Sequence, residues 1–217
     1  MPKFLPFTLE KEELLLTASR TIFWEAEKTL ILSDLHLGKT GHFRKSGIAV
    51  PQQVFKEDMQ RLLADIQFFK ATSIIIVGDL FHSEFNKEHD LFLRWRNDIS
   101  HVNFHLVKGN HDILKKTWYA EAGIEVHDKK YNVRNFLFTH DVAQCDDTDC
   151  YCISGHIHPG ISVRGRGKQS LKFPCFYFAE SYAVLPAFGR FTGTFPVKPV
   201  VGDAVFALVE DGIVRLT

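Results

Sequence analysis

The sequence is short of the features that mark membrane, secreted or disordered chains. No stretch reaches the roughly 18 uninterrupted apolar residues that a membrane-crossing helix needs. Cysteine is limited to Cys145, Cys150, Cys152 and Cys175, too few for a disulfide scaffold in a chain of 217 residues. The opening residues, Met1-Pro2-Lys3-Phe4-Leu5-Pro6, lack a long apolar run and a small-residue cleavage site. A cytoplasmic, reducing location with no membrane partner is therefore expected. An excess charge of either sign is also missing. Lys+Arg and Asp+Glu stand at 26 each, so no basic field advertises nucleic acid and no acidic tail a cationic partner. No Pro/Gly/Ser-rich linker or internal repeat divides residues 1–217, which read as one domain. Methionine is scarce at 2, whereas Phe reaches 20 and His 11. The core is thus aromatic, and the commonest metal ligand and neutral-pH acid/base is abundant.

Continuous β-branched runs at Thr29–Leu32 and Ser73–Val77 predict strands buried on both faces. Between them, from Pro51 to Lys70, Val54, Met59, Leu62, Leu63, Ile66 and Phe69 recur at helical spacing. The order strand, helix, strand predicts a parallel pair with a crossover. A second helix is expected near Lys87–Asp98, then strands at Val102–Val107, Asn135–Thr139 and Tyr151–Ser154. The first 28 residues, and the chain from Ile161 on, read as extended segments and turns, ending in a hairpin around Asp211-Gly212. The expectation is a layered α/β (α+β) protein, a mixed sheet with helices outside.

Polar residues of one kind follow these apolar runs. They are Asp34-Leu35-His36, Gly78-Asp79, Gly109-Asn110-His111-Asp112, His140, and Gly155-His156-Ile157-His158. In an open α/β sheet, strand ends pointing one way converge on one crevice. Asp34, His36, Asp79, Asn110, His140, His156 and His158 would meet there, and in extended chain residues spaced by two face one side. Seven N/O donors without a thiolate suit two divalent metals, with Asp79 as the natural bridge. Such a pair favours displacement at phosphorus. Each motif alone is weak, since Gly-Asp and Asp-x-His also occur in ordinary turns. All five in order, each after an apolar run, are hard to explain as packing.

These motifs, spanning residues 30–160, resemble the calcineurin-like metallophosphoesterases. The resemblance implies a four-layer fold, a central β-sandwich of mixed sheets flanked by helices, and a dinuclear centre. It assigns Asp34, His36, Asp79 and His158 to one metal, and Asp79, Asn110, His140 and His156 to the other. It makes His111 the acid/base, oriented by Asp112, with a metal-bridging hydroxide attacking phosphorus in line. Mn²⁺ is the implied metal, with Fe, Zn or Mg as alternatives. Further stretches, Leu35–Lys39, Gly78–Ser83, Leu171–Phe176 and Leu185–Gly193, resemble the bacterial ligase-associated, DNA damage response endonuclease subgroup. That resemblance implies a phosphodiester substrate, with DNA as the candidate, and DNA ligase, helicase and exonuclease as candidate partners.

Outside the ligand set, Lys39, His42, Arg44 and Lys45 form a basic loop suited to phosphate, with Arg44 as a bidentate fork. Arg164, Arg166 and Lys168 form a second basic loop after His158. His82, three residues after Asp79, is a candidate phosphate contact. His89, His101, His105 and His127 read as surface or packing residues. Cys145, Cys150 and Cys152 match no common structural zinc spacing. The Phe-rich run Phe173–Phe195 reads as core, with an oligomer patch as the alternative. Three function classes follow: a DNA-directed phosphodiesterase, a phosphatase or diesterase for a small nucleotide or metabolite, and a non-catalytic scaffold. The complete ligand set argues against the last.

Overall fold

The computed structural model of the chain describes residues 3–38, 53–82, 87–146, 149–164, 169–210 and 212–217. Its elements, in chain order, are β1 (Phe4–Leu9), β2 (Glu12–Thr17), β3 (Ile22–Trp24), β4 (Thr29–Leu32), α1 (Gln53–Phe69), β5 (Ser73–Val77), α2 (Lys87–Asp98), β6 (Asn103–Val107), α3 (Lys116–Glu121), β7 (Ile124–His127), β8 (Lys130–Val133), β9 (Phe136–Thr139), β10 (Tyr151–Ser154), β11 (Pro159–Arg164), β12 (Ser170–Phe178), β13 (Tyr182–Val184), β14 (Phe195–Pro196), β15 (Ala204–Val209) and β16 (Gly212–Arg215).

Strands β1 to β7 form one sheet in chain order, antiparallel from β1 to β4 and parallel from β4 to β7. The parallel half follows from the crossover helices, which return the chain to the same end of the sheet each time. The second sheet runs β14-β11-β12-β13-β10-β9-β8, with β15 paired to β12 and β16 to β15. Inside it, β10 lies parallel to both β9 and β13.

Two cores explain the layering. Alternate residues of the first sheet, including Leu30, Leu32, Ile74, Ile76 and Leu106, pack against Met59, Leu62 and Ile66 of α1, Phe92 of α2, and Trp118 and Tyr119 of α3. The intervening residues Ile31, Ile75, Val77 and Val107 face the second sheet through Phe136, Phe138, Ile153, Phe176 and Phe206. The period-two alternation of a strand sends neighbours to opposite faces, so one apolar run feeds both cores. The far face of the second sheet carries a small cluster around Cys175, Tyr177 and Val205, with Val197 packed on it. The short 3₁₀ turn Val142–Gln144 borders this face, with Val142 beside Tyr177, Tyr182 and Val184.

The Phe-rich run divides. Phe176, Phe178 and Phe188 are buried, while Phe191 and Phe195 are exposed. Cys145 and Cys152 are joined in one disulfide, a difference from the reducing setting expected of the sequence, and Cys175 is a buried thiol. No described helix is long and apolar enough to cross a membrane.

Candidate metal centre

The parallel strands β4, β5 and β6 end beside β9 and β10, and the polar residues that follow each strand come together there. Past the sheet the chain continues as two hydrogen-bonded ribbons. Asp34 N–H donates to Gly78 C=O at 3.1 Å, His36 N–H to Asp79 C=O at 2.9 Å, and Leu37 N–H to Leu80 C=O at 2.9 Å. Leu185–Gly189 closes over the same ribbon, with Phe188 N–H donating to Ser33 C=O at 2.8 Å and Gly189 N–H to Asp34 C=O at 3.1 Å. Arg20 and Arg61 hold that segment by donating to the carbonyls of Ala187, Phe188 and Gly189. Sequence patterns alone gave no role to these two arginines, because the carbonyls they hold lie over a hundred residues away, although Arg61 also pairs with Asp58 on its own helix.

Two donor groups result. Asp34, His36 and His158 form one, and Asp79, His140 and His156 the other, each with ligand atoms within 4.8 Å of one another. In the first, His158 Nε2 lies 3.2 Å from Asp34 Oδ1 and 3.1 Å from His36 Nε2. In the second, His140 Nε2 lies 3.5 Å from Asp79 Oδ2 and 3.1 Å from His156 Nδ1. Asp79 Oδ2 is also 3.9 Å from His36 Nε2, so this carboxylate stands between the groups.

The expectation that residues spaced by two share one side holds for Asp34 and His36 and is corrected for His156 and His158. Asp34, His36, Asp79, His156 and His158 all have positive φ, between 51° and 73°. Non-glycine residues rarely adopt this backbone, and it clusters at functional sites where surrounding structure enforces it. The twist splits His156 and His158 between the two groups, whereas an extended chain would send both to one side. Gly78 and Gly109 serve the crowding, since a Cβ at either would collide with the His140 ring or with Asp79 respectively.

The donor set fits divalent cations on three observations. Asp34 Oδ1 is buried and has no hydrogen-bond partner, a costly arrangement for a carboxylate oxygen without a cation. His140 Nδ1 donates to the Val77 carbonyl at 3.2 Å. That bond keeps Nδ1 protonated and turns Nε2 toward Asp79, where a cation can replace its proton, the outer-shell arrangement usual for metal-ligating imidazoles. In each group two ring nitrogens face one another at 3.1 Å, a contact that needs a shared proton or a cation.

Burial acts to raise the Asp79 pKa, but the His140 hydrogen bond and charge, the His111 amide and His36 outweigh it and hold the carboxyl at about 2. Burial acts to lower the His140 pKa, but Asp79 and Asp34 lift it to about 9. A raised imidazole pKa means the proton is held through neutral pH and lost as pH climbs through about 9. A cation at Asp79, His140 and His156 must displace that proton, so its apparent affinity should climb with pH and level off above about 9. Calorimetric titration with Mn²⁺ near pH 7.5, in buffers of differing ionisation heat, should register about one proton released per chain. Binding without proton release would remove His140 from the ligands.

His111 donates its backbone N–H to Asp79 Oδ1 at 2.9 Å, which leaves its half-buried ring to the crevice. The ring lies 4.3 Å from that of His82 and 5.6 Å from that of His36, centre to centre. His82 in turn places Nδ1 3.3 Å from His36 Nδ1. Asp112 is buried, and its oxygens accept from the amides of Gly109 at 2.9 Å and Phe81 at 3.2 Å. It therefore acts on the loop that carries His111, with its oxygens on backbone rather than on the ring. Burial pushes its pKa up to about 7. Asn110 is exposed between Gly109 and His111, the two residues that touch Asp79. Arg164 is exposed at the end of β11. Lys39, His42, Arg44, Lys45, Arg166 and Lys168 lie outside the described residues. His89 is buried and stacked on Phe81, in keeping with a packing role.

Comparison with known proteins identifies the family. The calcineurin-like phosphoesterase pattern matches residues 27–184. A nuclease from Pseudomonas putida, MPE, is 26% identical with a TM-score of 0.82, over 95% of this chain and 97% of that one. The E. coli phosphoesterase Yfce is 14% identical with a TM-score of 0.46, over 87% of this chain and 97% of that one. No curated protein sequence matches the chain significantly. With the pattern covering most of its length, the chain belongs to the calcineurin-like phosphoesterase family, the metal-dependent phosphoester hydrolases.

Proposed function

We propose that the protein is a dinuclear phosphodiesterase acting on nucleic acid, with DNA as the substrate, in the cytoplasm. The observation that carries this reading is the Asp79 carboxylate standing between two His-rich donor groups, 3.5 Å from His140 and 3.9 Å from His36. Asp34, His36, Asp79 and His158 would hold one metal, and Asp79, Asn110, His140 and His156 the other. Mn²⁺ is the proposed occupant, since N/O donor sets without thiolate suit such metals. When bound, the pair supplies Lewis-acid polarisation of the phosphoryl oxygens and an activated water.

The chain's own groups do the rest. His36, His82 and His111 line one side of the crevice, and their rings are in mutual contact. Water adds to phosphorus, the ester P–O bond breaks, and the departing oxygen needs a proton. His111 is the proposed donor, a reading supported by its contact to Asp79 running through the backbone N–H and by Asp112 bracing its loop. His82 supports the same wall, and Lys39, Arg44 and Arg166 are the proposed phosphate contacts. The 26%-identical Pseudomonas putida nuclease supports the nucleic-acid reading. A place in DNA repair, beside a ligase, helicase or exonuclease, is part of the same proposal.

Because the net charge is zero, DNA binding must rest on local clusters. With Mn²⁺, bis-p-nitrophenyl phosphate should be cleaved in preference to p-nitrophenyl phosphate, and linear or nicked DNA should be cut. Replacing Arg164, Arg166 and Lys168 together by Ala should weaken DNA binding and lower its salt slope by about 0.7–0.9 for each phosphate that is no longer neutralised. Small-diester hydrolysis should barely change. Wild-type protein with no salt-dependent DNA binding would instead favour a small nucleotide or metabolite, the reading that the balanced charge supports.

A further inference from the structure

We propose that His105, Glu125 and His127 form an additional divalent-cation site, separate from the candidate metal centre, that clasps the edge of the first sheet. The three side chains offer donor atoms within 4.8 Å of one another. His105 Nδ1 lies 3.4 Å from Glu125 Oε2, His127 Nε2 lies 3.7 Å from Glu125 Oε1, and the two ring nitrogens are 3.5 Å apart. Donors about 2.0–2.2 Å from a tetrahedral Zn²⁺ stand about 3.3–3.6 Å from one another. The separation of the two ring nitrogens and that of His105 from the carboxylate fall in this range, and His127 stands slightly farther from the other carboxylate oxygen.

Strand register creates the cluster. In the parallel pair β6–β7, His105 stands opposite Glu125, and Val107 opposite His127. Glu125 and His127, two apart on β7, project from the same face, and His105 meets them across the ladder. β7 ends the first sheet and β8 ends the second. Tyr131 of β8 stacks on both imidazoles, 3.9 Å from His127 at 19° and 5.0 Å from His105 at 16°. The stack fixes both ring planes with their nitrogens toward the carboxylate.

An ordinary ion pair is the competing account, and it requires a protonated imidazole. Burial lowers the pKa of both rings, opposed by Glu125 in each case and assisted by His105 in that of His127. At neutral pH the cluster is therefore two neutral rings and one carboxylate, a set that attracts a dication. The Glu125 side chain is 65% exposed, so solvent reaches the site and a water can complete the coordination. Two imidazoles, one carboxylate and one water suit Zn²⁺ best among divalent metals. Bound there, the ion would tie an edge strand, with its unpaired backbone groups, to its neighbour.

The test counts zinc on chelator-treated full-length chain, using a chromophoric chelator as competitor. Glu125→Gln is the main variant, because an exposed side chain can be changed without disturbing the core. Wild type should take up one equivalent of Zn²⁺ more than Glu125→Gln. The same variant should lose one equivalent of tetrahedral Co²⁺ absorption. At a hundredfold excess of Zn²⁺ over Kd, the melting temperature should rise by about 5–10 °C more in wild type than in the variant. Mn²⁺-dependent hydrolysis of bis-p-nitrophenyl phosphate should be equal in both, and His127→Gln should reproduce the loss of one equivalent. Equal zinc and cobalt uptake by wild type and Glu125→Gln would overturn the site, whatever the metal centre itself binds.

Discussion

Asp79→Asn should empty the metal centre and abolish hydrolysis together. The carboxylate is 3% exposed and stands between the two donor groups. An amide of the same shape keeps the packing but loses the charge and one of two ligand oxygens. Its NH₂ group would also point a donor at imidazole nitrogens that must themselves present lone pairs to a cation. Loss of an outer-shell partner typically costs 10–100-fold in metal affinity, so loss of a shared ligand should exceed about 100-fold. Metal content of the purified variant by elemental analysis, beside circular dichroism to establish folding, gives the answer. Two retained metals with near-normal turnover would refute the bridging role. In the metal-free variant the His140 pKa should fall from its raised value, because Asp79 is the strongest influence lifting it.

His111→Ala should give the opposite dissociation, with metals kept and turnover lost. The contact between this residue and Asp79 runs through the His111 backbone N–H, which alanine retains. Only the ring leaves, together with its packing on His82 and His36. General acid–base assistance is typically worth about 10²–10⁴ in rate, and kcat should fall by that factor. The loss should be smaller for a substrate whose leaving group is p-nitrophenolate, since a good leaving group has little need of a proton. An unchanged kcat on DNA would remove His111 from the chemistry, and an empty centre would recast it as a ligand.

What could be read from the sequence follows from how local each signal is. Thr29–Leu32 and Ser73–Val77 are legible because a strand buried on both faces is an unbroken apolar run, and both stand where expected. Helix α1 is legible because its 17 residues repeat the 3.6-residue period several times. The short helix α3 has only 6 residues, too few for a period to show. β7, Ile-Glu-Val-His, is an edge strand of 4 residues with a charge on the face turned to the second sheet, too short to stand out from its surroundings. The candidate donor residues stood out in chain order, and the family resemblance implied their division between two groups, but spacing alone did not, because it depends on left-handed backbone at His156 and His158. His105 and His127 read as packing residues for a similar reason. Their partnership arises from strand register across a gap of about twenty residues, and register is a tertiary property.

Each donor group of the centre draws on both halves of the sandwich. Asp34 and His36 follow a strand of the first sheet while His158 follows one of the second, and Asp79 from the first meets His140 and His156 from the second. A chain with only one sheet assembled therefore has no complete donor group, and the ions act as reporters of finished folding. Bound metal also joins the sheets thermodynamically, because ligand that binds only the native state adds about 2.7 kcal/mol at a hundredfold excess over Kd. A nascent or damaged chain should thus stay catalytically silent until both sheets meet, and phosphoester hydrolysis is withheld from any partly folded copy.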